Sequence, residues 1–276
     1  MIRSMYASIG GMKNFQTKLD VIGNNIANVN THGFKKGRTT FQDLVSQQVG
    51  GASAAAENRG GTNPLQVGLG SGMSSIDTIQ NQGSLQSTGR QLDMAISGDG
   101  YFMVSDGGEP QYTRAGNFYL DNDGNLVNGS GMIVQGYGSD GDEINTDEEP
   151  INLGFGELGE FEGFDISSTG IITAILEGGD TQTVGQIALA TFDNPGGLEK
   201  TGDNLYQVSS NSGAPAVDVS GTGGRGDLVG AALEMSNVDL AEEFAEMIVG
   251  QRGFQANTRM ITTSDEILQE LVNLKR

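Results

Sequence analysis

Both ends of this 276-residue chain carry an apolar heptad pattern, which restricts them to helices that pack against other helices. At the N-terminal end, alternating steps of three and four residues from Met5 give Ser8, Met12, Phe15, Leu19, Ile22, Ile26 and Val29. Every position in this series except Ser8 is apolar. We therefore predict a helical segment within residues 1–40.

A second heptad seam lies at the C-terminal end, in residues 231–276. Its apolar members are Leu240, Phe244, Met247, Phe254, Ile261, Leu268 and Val272, and its polar core positions are Gln251, Thr258 and Asp265. Ser236 and Asp239 resemble a capping box, so we expect a helix from about residue 237 to 274, about 57 Å long. A helix of this length favours a coiled coil over the alternative, a surface helix packed on its own domain.

The chain between these ends has the pattern of β-structure. Short apolar runs such as Tyr101–Ser105 and Gln186–Phe192 are separated by Gly-rich turns, and Asp123-Gly124 is a hairpin turn signal. We expect a sandwich-like or barrel-like all-β domain over residues 76–230. Residues 41–75, rich in small and polar residues, should be an extended linker. Residues 138–165 hold ten carboxylates and no base, which predicts a solvated acidic loop.

The order of these segments predicts an α+β fold. The chain leaves its first helix into the β domain and returns from that domain into its last helix. Two helices connected in this way run antiparallel if they pair. We therefore expect an antiparallel coiled-coil stalk with a central all-β domain.

Composition excludes most kinds of enzyme site. The chain has no Cys and a single His, so disulfides, Cys nucleophiles and His-rich metal sites are excluded. Its net charge of −20 argues against nucleic acid or an anionic membrane as the main partner. The sequence shows neither a membrane-spanning apolar run nor a cleavable signal peptide. We expect either a cytosolic chain or export by a route that reads another signal.

The short motifs suggest no catalytic, cofactor-binding or metal-ligating residues. Gly221–Gly226 matches G-x-G-x-x-G, but no parallel βαβ pattern surrounds it. Asp121–Asn125 fits a hairpin turn better than a calcium loop, because the Gly comes too early and no closing Glu follows. The carboxylates of Asp140, Asp142 and residues 147–149 could hold a cation weakly. His32 has no serine constellation around it, so we interpret it as a turn residue.

Three motifs follow one another along almost the whole chain. The first is residues 23–35, with Asn24, Asn25, Asn28, Thr31, Gly33 and Phe34. The second comprises residues 93–102, 112–118 and 126–127. The third comprises residues 233–240, with Ser236 and Asn237, and residues 251–257, with Gln251 and Arg252, continuing through residues 264–274. Together these motifs resemble the flagellar rod, hook and hook-associated axial proteins, and the second resembles the β-domain core of hook and distal-rod proteins.

Within this family, the segment Gln251–Phe254 and the ending at residues 269–273 resemble a hook protein more than a distal-rod protein. We therefore expect a structural subunit of the hook, with the distal rod as the alternative. Many hook proteins carry a large outer domain where this chain has only its acidic stretch, and the chain length is closer to that of a distal-rod protein. A calcium-binding adhesin is a remote alternative, and its Gly-Gly-x-Gly-x-Asp repeats do not occur here.

The resemblance implies a homopolymer whose inner layer is made of paired terminal helices, located in the flagellum outside the cell. The heptad seams would then be contacts between subunits as well as within them. Implied partners are further copies of the chain, distal-rod, hook-cap and hook-filament junction proteins, and the flagellar export apparatus. The resemblance implies no cofactor and no enzymatic activity.

Overall fold

The computed structural model describes residues 2–54, 60–140, 143–152, 161–176 and 181–274. The chain divides into two compact units, each built from separate stretches of sequence. The first, which we call the helical unit, comprises Met1–Ala27, Gly37–Thr78 and Asp239–Arg276. The second, the β unit, comprises Asn28–Lys36 and Ile79–Val238. Helices at both ends flank a β-rich centre, which confirms the α+β prediction.

The two helices are α1 (Ile2–Ala27) and α2 (Leu240–Asn273). The N-cap of α2 is Asp239, whose side chain accepts a hydrogen bond of 2.8 Å from the backbone N–H of Ala241. The capping box expected at Ser236 therefore does not form, and the helix starts later than predicted. Neither helix has an apolar stretch that is long enough for a membrane span.

The N-terminal helix is shorter than the predicted segment, because the chain leaves the helix after Ala27. Residues 28–36 belong to the β unit and contain the turn around Gly33. Gly33 has a φ of +70°, and an added Cβ would lie 2.7 Å from the backbone nitrogen of Ala115. A glycine is required here by both the backbone conformation and the close approach.

The expected linker is a β-ribbon in the part of it that the structure describes. Strands β1 (Gly37–Asp43) and β4 (Ser71–Thr78) pair antiparallel, as do β2 (Gln47–Gly50) and β3 (Leu65–Val67). The small, polar composition concealed a period of two in Leu65, Val67 and Leu69, which is the spacing of a strand. Residues 55–59 lie outside the described residues.

The β unit contains a 12-stranded sheet and smaller two-stranded sheets, with nearly all pairs antiparallel. Its main core consists mostly of aliphatic side chains and contains the edge-to-face pair of Phe102 and Phe118, whose ring centroids are 5.1 Å apart. Its strands are β5 (Leu85–Ser87), β6 (Met94–Ser97), β7 (Tyr101–Ser105), β8 (Gln111–Thr113), β9 (Tyr119–Leu120), β10 (Leu126–Val127), β11 (Ile133–Asp140), β12 (Glu143–Pro150), β13 (Phe161–Ile166), β14 (Ile171–Leu176), β15 (Thr181–Thr191), β16 (Glu199–Gly202), β17 (Leu205–Gln207), β18 (Ala216–Val219), β19 (Asp227–Gly230) and β20 (Ala232–Glu234).

The acidic stretch is not a loop where the structure describes it. Strand β12 pairs antiparallel with β11, and β13 pairs antiparallel with β14. A strand pair is held by backbone hydrogen bonds, which do not depend on side-chain charge, so a run of carboxylates does not by itself predict a loop. Residues 141–142 and 153–160 of this stretch lie outside the described residues.

Candidate functional site

The two terminal helices pack against each other in opposite directions. The Lys18 ammonium lies 2.8 Å from a Glu246 carboxylate oxygen, and the Asn25 amide donates a hydrogen bond of 3.2 Å to Glu243. Near the other end of the pair, the Thr258 hydroxyl lies 3.4 Å from the Met12 sulfur. Residues nearer the start of α1 therefore contact residues nearer the end of α2, so the two helices are antiparallel.

The face of α2 that packs on α1 is rotated from the predicted seam. Predicted seam residues Met247, Ile261 and Leu268 are half-buried, whereas Leu240 and Phe244 are 39% and 50% exposed and Phe254 is 37% exposed. The other residues on the packed face repeat every seven positions and are polar or small: Glu243, Gly250, Asn257 and Ser264. The sequence analysis instead placed Gln251, Thr258 and Asp265 at these core positions, and all three are exposed.

Close approach of the helix backbones explains this rotation. A Cβ added at Gly253 would lie 2.5 Å from the Phe15 ring, and one at Gly250 would lie 3.1 Å from Leu19. A Cβ added at Gly11 would lie 2.9 Å from the Asn257 amide. The glycines are therefore contact positions, because large neighbours on the other helix occupy the space over them.

On α1, the predicted seam faces the interior of the helical unit. Ile22 is buried, and Met12, Phe15, Leu19 and Ile26 are half-buried. Val29, the last predicted member, lies beyond the helix in the β unit.

Asn25 of the first motif joins three parts of the helical unit. Its amide exchanges two hydrogen bonds of 2.9 Å with the backbone of Gly37, at the start of β1, and also donates to Glu243 of α2. Asn14 makes a related contact, because its side-chain amide donates a hydrogen bond of 2.9 Å to the backbone carbonyl of Ser71 in β4. The buried amide of Asn25 thus fixes the start of the ribbon to both helices. Asn24 of the same motif is exposed.

Asn237 of the third motif joins three segments at the edge of the β unit. Its side-chain oxygen accepts a hydrogen bond of 2.8 Å from the backbone N–H of Lys36. Its side-chain nitrogen donates a hydrogen bond of 2.9 Å to the backbone carbonyl of Ile79. The neighbouring Ser236 hydroxyl accepts a hydrogen bond of 3.3 Å from the backbone N–H of Val238. Asn237 therefore holds together the points at which the chain enters and leaves the β unit.

The rest of the first motif packs within the β unit, and two of the third-motif residues do not. The Thr31 hydroxyl donates a hydrogen bond of 3.1 Å to the side-chain oxygen of Asn28. The Lys200 ammonium lies 5.2 Å from the centre of the Phe34 ring. Gln251 and Arg252 are exposed on α2. The structure therefore does not bring all the motif residues into one site.

A buried charge cluster, made of Lys35, Arg114 and Glu234, was not anticipated from the sequence. The Lys35 ammonium lies 2.6 Å from one Glu234 oxygen, and the Arg114 guanidinium lies 3.3 Å from the other. Their side chains are 1%, 3% and 0% exposed, in the order Lys35, Arg114, Glu234. Each of the three residues lies in one of the three sequence motifs described above. The sequence signal that could have indicated their burial is a charged residue between neighbours that pack in the interior.

Burial sets the protonation behaviour around this cluster. Burial lowers the pKa of Lys35, against the opposing attraction of Glu234. Burial also raises the pKa of Tyr101 to about 12 and raises that of Tyr206. Arg114 lies over the Tyr101 ring, 5.3 Å from its centre. Glu234 pairs with both cations inside the β unit, so the cluster is suited to holding segments together.

The motifs with possible chemistry lie in turns. Gly221–Gly226 connects β18 to β19 without an intervening helix, so it lacks the helix N-terminus that a dinucleotide site needs. Asp121–Asn125 is the turn between β9 and β10, and His32 lies in the turn before Gly33. Among the described residues, no group of three or more His, Asp and Glu side chains could hold a metal ion.

The helical unit has few fully buried apolar side chains of its own. Among the described residues, every buried apolar side chain except Ile22 belongs to the β unit. The helical unit instead exposes large apolar side chains: Tyr6, Ile9, Phe41, Leu44, Val45, Val49, Leu65, Val67, Leu69, Met73, Ile76, Leu240, Phe244, Ile248, Val249, Phe254, Met260, Ile267, Leu271, Val272 and Leu274. Apolar exposure on this scale is typical of an interaction surface.

Three family profiles match the chain in the order of its motifs. They are described as "Flagella basal body rod protein" at residues 5–35, "Flagellar hook protein FlgE/F/G D1 domain" at residues 95–174, and "Flagellar basal body rod FlgEFG protein C-terminal" at residues 229–274.

Curated relatives match over full length. The flagellar basal-body rod protein FlgG of Bacillus subtilis is 56% identical over 277 residues, covering 100% of both chains. The flagellar hook protein FlgE of Borreliella burgdorferi is 33% identical over 441 aligned positions, and FlgG of the same organism is 37% identical over 281, each covering 100% of both chains. The chain therefore belongs to the family of flagellar rod and hook proteins, the structural subunits of the basal body and hook of the bacterial flagellum.

Proposed function

We propose that the chain is a subunit of the flagellar rod and that it polymerises there as a structural protein without catalytic activity. The observation that carries the rod assignment is the full-length match to the Bacillus subtilis rod protein, 56% identical over 277 residues with both chains completely covered. A chain of 276 residues fits this alignment with almost no insertion.

The comparison within one organism supports the same choice. The rod protein of Borreliella burgdorferi aligns with the chain over 281 positions, whereas the hook protein of that organism needs 441. The alignment with the hook protein therefore contains many positions that have no counterpart in this chain. The sequence analysis preferred the hook on the residues near Gln251, and the alternative it kept open, the distal rod, is the better supported of the two.

The exposed apolar surface of the helical unit supports polymerisation. Burying apolar surface contributes roughly 25 cal/mol per Å², and the helical unit has little of this stabilisation within a single chain. Copies that cover one another's exposed side chains would supply it. The seam and ribbon residues would then be contacts between subunits as well as within them.

As a rod subunit, the chain would contact neighbouring axial proteins at the two ends of its polymer, including the hook. We also propose that it reaches its place through the flagellar export apparatus. The hook-cap and hook-filament junction proteins, expected as partners of a hook subunit, are not part of this proposal.

Electron microscopy of basal bodies from a strain that lacks this chain tests the assignment. Rods that stop short, without hooks, are the expected result. Complete rods without hooks would instead identify a hook subunit and would overturn the rod proposal. Re-expression of the chain should restore both the rod and swimming.

A further inference from the structure

The β unit contains a cavity of about 290 Å³ whose lining combines aromatic rings, exposed carboxylates and side chains with unpaired polar atoms. Its volume is close to the lower end of the range that is typical of small-molecule sites. The lining residues that bear on its chemistry are Gln80, Asp99, Tyr101, Arg114, Phe192 and Asp193.

Two buried polar atoms on this lining have no hydrogen-bond partner within the described part of the chain. They are Nε of Arg114 and Oε1 of Gln80, two of only four such atoms among the described residues. Arg114 is 3% exposed and pairs with Glu234 through Nη1, which leaves its Nε–H without an acceptor. Buried polar atoms without a partner are rare and costly, so a ligand that pairs with them would bind favourably.

The orientation of the Gln80 amide follows from its neighbour. Its nitrogen lies 3.5 Å from the carbonyl oxygen of Pro195, so a reversed amide would bring two oxygens together. Oε1 of Gln80 is therefore an acceptor, and Nε of Arg114 is a donor. A ligand that satisfies both must carry an acceptor and a donor of its own.

The charges of the lining favour a neutral ligand. Asp99 and Asp193 are exposed, and both carboxylates would repel an anion. A cation would meet the guanidinium of Arg114 and would leave its Nε–H without an acceptor. The lining therefore disfavours ligands with either sign of charge.

The Gly-rich turn at residues 221–226 forms one side of the cavity through two of its glycines. The Arg225 guanidinium fixes this turn, because it donates 3.1 Å to the carbonyl of Leu189 and 2.8 Å to that of Ala216. The turn is thus attached to β15 and β18. A wall held in this way costs little to organise when a ligand binds.

We propose that this cavity binds a primary carboxamide. The carboxamide oxygen would accept from Nε of Arg114, and its nitrogen would donate to Oε1 of Gln80. Its flat faces suit the rings of Tyr101 and Phe192, which pack edge to face with centroids 5.8 Å apart. The carboxamide belongs either to a small molecule or to a glutamine or asparagine of another polypeptide.

Four compounds with the same ring and different head groups test the ligand class: benzamide, benzoate, benzylammonium and benzyl alcohol. Benzamide should bind the full-length chain with a dissociation constant on the order of 1 mM, measured by ligand-observed NMR. The others should bind about fivefold or more weakly, because each carries a disfavoured charge or has one oxygen for both partners. Equal binding of any of these three, or no binding of benzamide because water satisfies both atoms, would overturn the proposal.

Variants of the lining locate the binding. Gln80→Met removes the acceptor at similar size and should weaken benzamide binding about fivefold or more. The matched control Gln91→Met, at an exposed position outside the lining, should change it less than about twofold. Circular dichroism checks that both variants fold, and equal effects of the two would place the binding elsewhere and overturn the proposal.

A variant at an exposed position provides a test that does not depend on the folding of Gln80→Met. Asp193→Asn removes one repelling carboxylate and should strengthen benzoate binding about twofold to fivefold, with benzamide binding unchanged. Loss of benzoate discrimination without this variant, or an equal change for both compounds, would contradict the site.

A glutamine tripeptide, blocked at both ends without a terminal primary amide, distinguishes the two sources of the carboxamide. Binding tighter than that of benzamide would identify a polypeptide partner, and weaker binding would identify a small molecule. The corresponding glutamate tripeptide should bind about fivefold or more weakly than the glutamine tripeptide. Equal binding of the two tripeptides would overturn the proposal.

Discussion

At the scale of single residues, the β unit depends on one carboxylate that pairs with two buried cations. Glu234 faces Lys35 and Arg114 from sequence positions about 200 and 120 residues away. It also accepts a hydrogen bond of 2.8 Å from the backbone N–H of Gly83. Without Glu234, both cations would lose the carboxylate with which they are paired.

Removal of this carboxylate should cost far more than removal of the whole cluster. Glu234→Gln removes the carboxylate that pairs with both buried cations, and we expect a loss of about 3–5 kcal/mol in the free energy of unfolding. The triple variant Lys35→Met/Arg114→Met/Glu234→Met should lose less, because no charge stays buried. Urea unfolding followed by circular dichroism measures both. A single variant within about 1 kcal/mol of wild type would contradict a balancing role for Glu234.

Alkaline pH should destabilise the β unit through Tyr101. Its pKa is raised from 10.0 to about 12 in the folded protein, so between these values the folded state retains a proton that the unfolded state has lost. The stabilisation is therefore complete below pH 10 and is lost as pH rises towards 12, a loss of about 2–3 kcal/mol. The lowered pKa of Lys35 acts in the opposite direction in the wild type and in any Tyr101 variant.

The comparison with Tyr101→Phe isolates this contribution. From pH 9 to pH 12, the variant should lose about 2–3 kcal/mol less unfolding free energy than the wild type, as measured by urea unfolding at each pH. Parallel pH profiles for the two proteins would show that Tyr101 titrates normally.

At the scale of elements, the pairing of α1 with α2 depends on glycines that a helix ordinarily disfavours. Gly253 costs α2 about 1 kcal/mol relative to alanine, yet it lets the Phe15 ring reach the backbone of α2. The ring also packs against Phe41 of β1, with centroids 6.4 Å apart. Contact with α1 thus outweighs helix propensity at this position.

Two Gly-to-Ala changes should therefore have opposite signs. Gly253→Ala places a Cβ 2.5 Å from the Phe15 ring and should destabilise the helical unit by about 1–3 kcal/mol. Gly23→Ala in α1, where an added Cβ meets nothing within 4 Å, should stabilise it by up to about 1 kcal/mol. Thermal melting of the helical circular dichroism signal measures both changes. Stabilisation by both would contradict the close contact at Gly253.

At the scale of the whole molecule, stability is divided unequally between the two units. The buried apolar side chains of the described chain, with the exception of Ile22, are in the β unit, so this unit has a core of its own. The helical unit exposes apolar residues on α2 and on the ribbon instead. A single copy should therefore have a stable β unit and a weakly stable helical unit.

Limited proteolysis should separate the two units. In dilute monomer, brief trypsin treatment should cut α1 near Lys13 and α2 at Arg252 and Arg259, all three of them exposed, while residues 79–238 survive. Polymer should protect the same sites, because neighbours cover the helices. Mass spectrometry of the fragments provides the measurement. Equal protection of α2 in monomer and polymer would show that the helical unit is stable by itself.

The sequence by itself determined the α+β class, both terminal helices and most central strands. Heptad spacing and short apolar runs are local patterns, and each is set by the period of its own backbone. The same patterns placed Met247, Ile261 and Leu268 towards α1. The three motifs were enough to indicate the family, because the resemblance depends on the residues and their order along the chain and not on their contacts.

Only the tertiary structure decided which face of α2 packs on α1, that residues 37–78 form a ribbon, and that Lys35, Arg114 and Glu234 meet. Each of these features joins residues far apart in the sequence, so no local period reports it. The large residues on either side of Gly250, such as Phe244 and Phe254, were predicted to face α1 but are exposed. The space between two packed helices depends on the side chains of both, so the sequence of α2 alone does not show which of its faces fits α1. Phe15 and Leu19, more than 200 positions earlier in the chain, fill the space that Gly250 and Gly253 leave open.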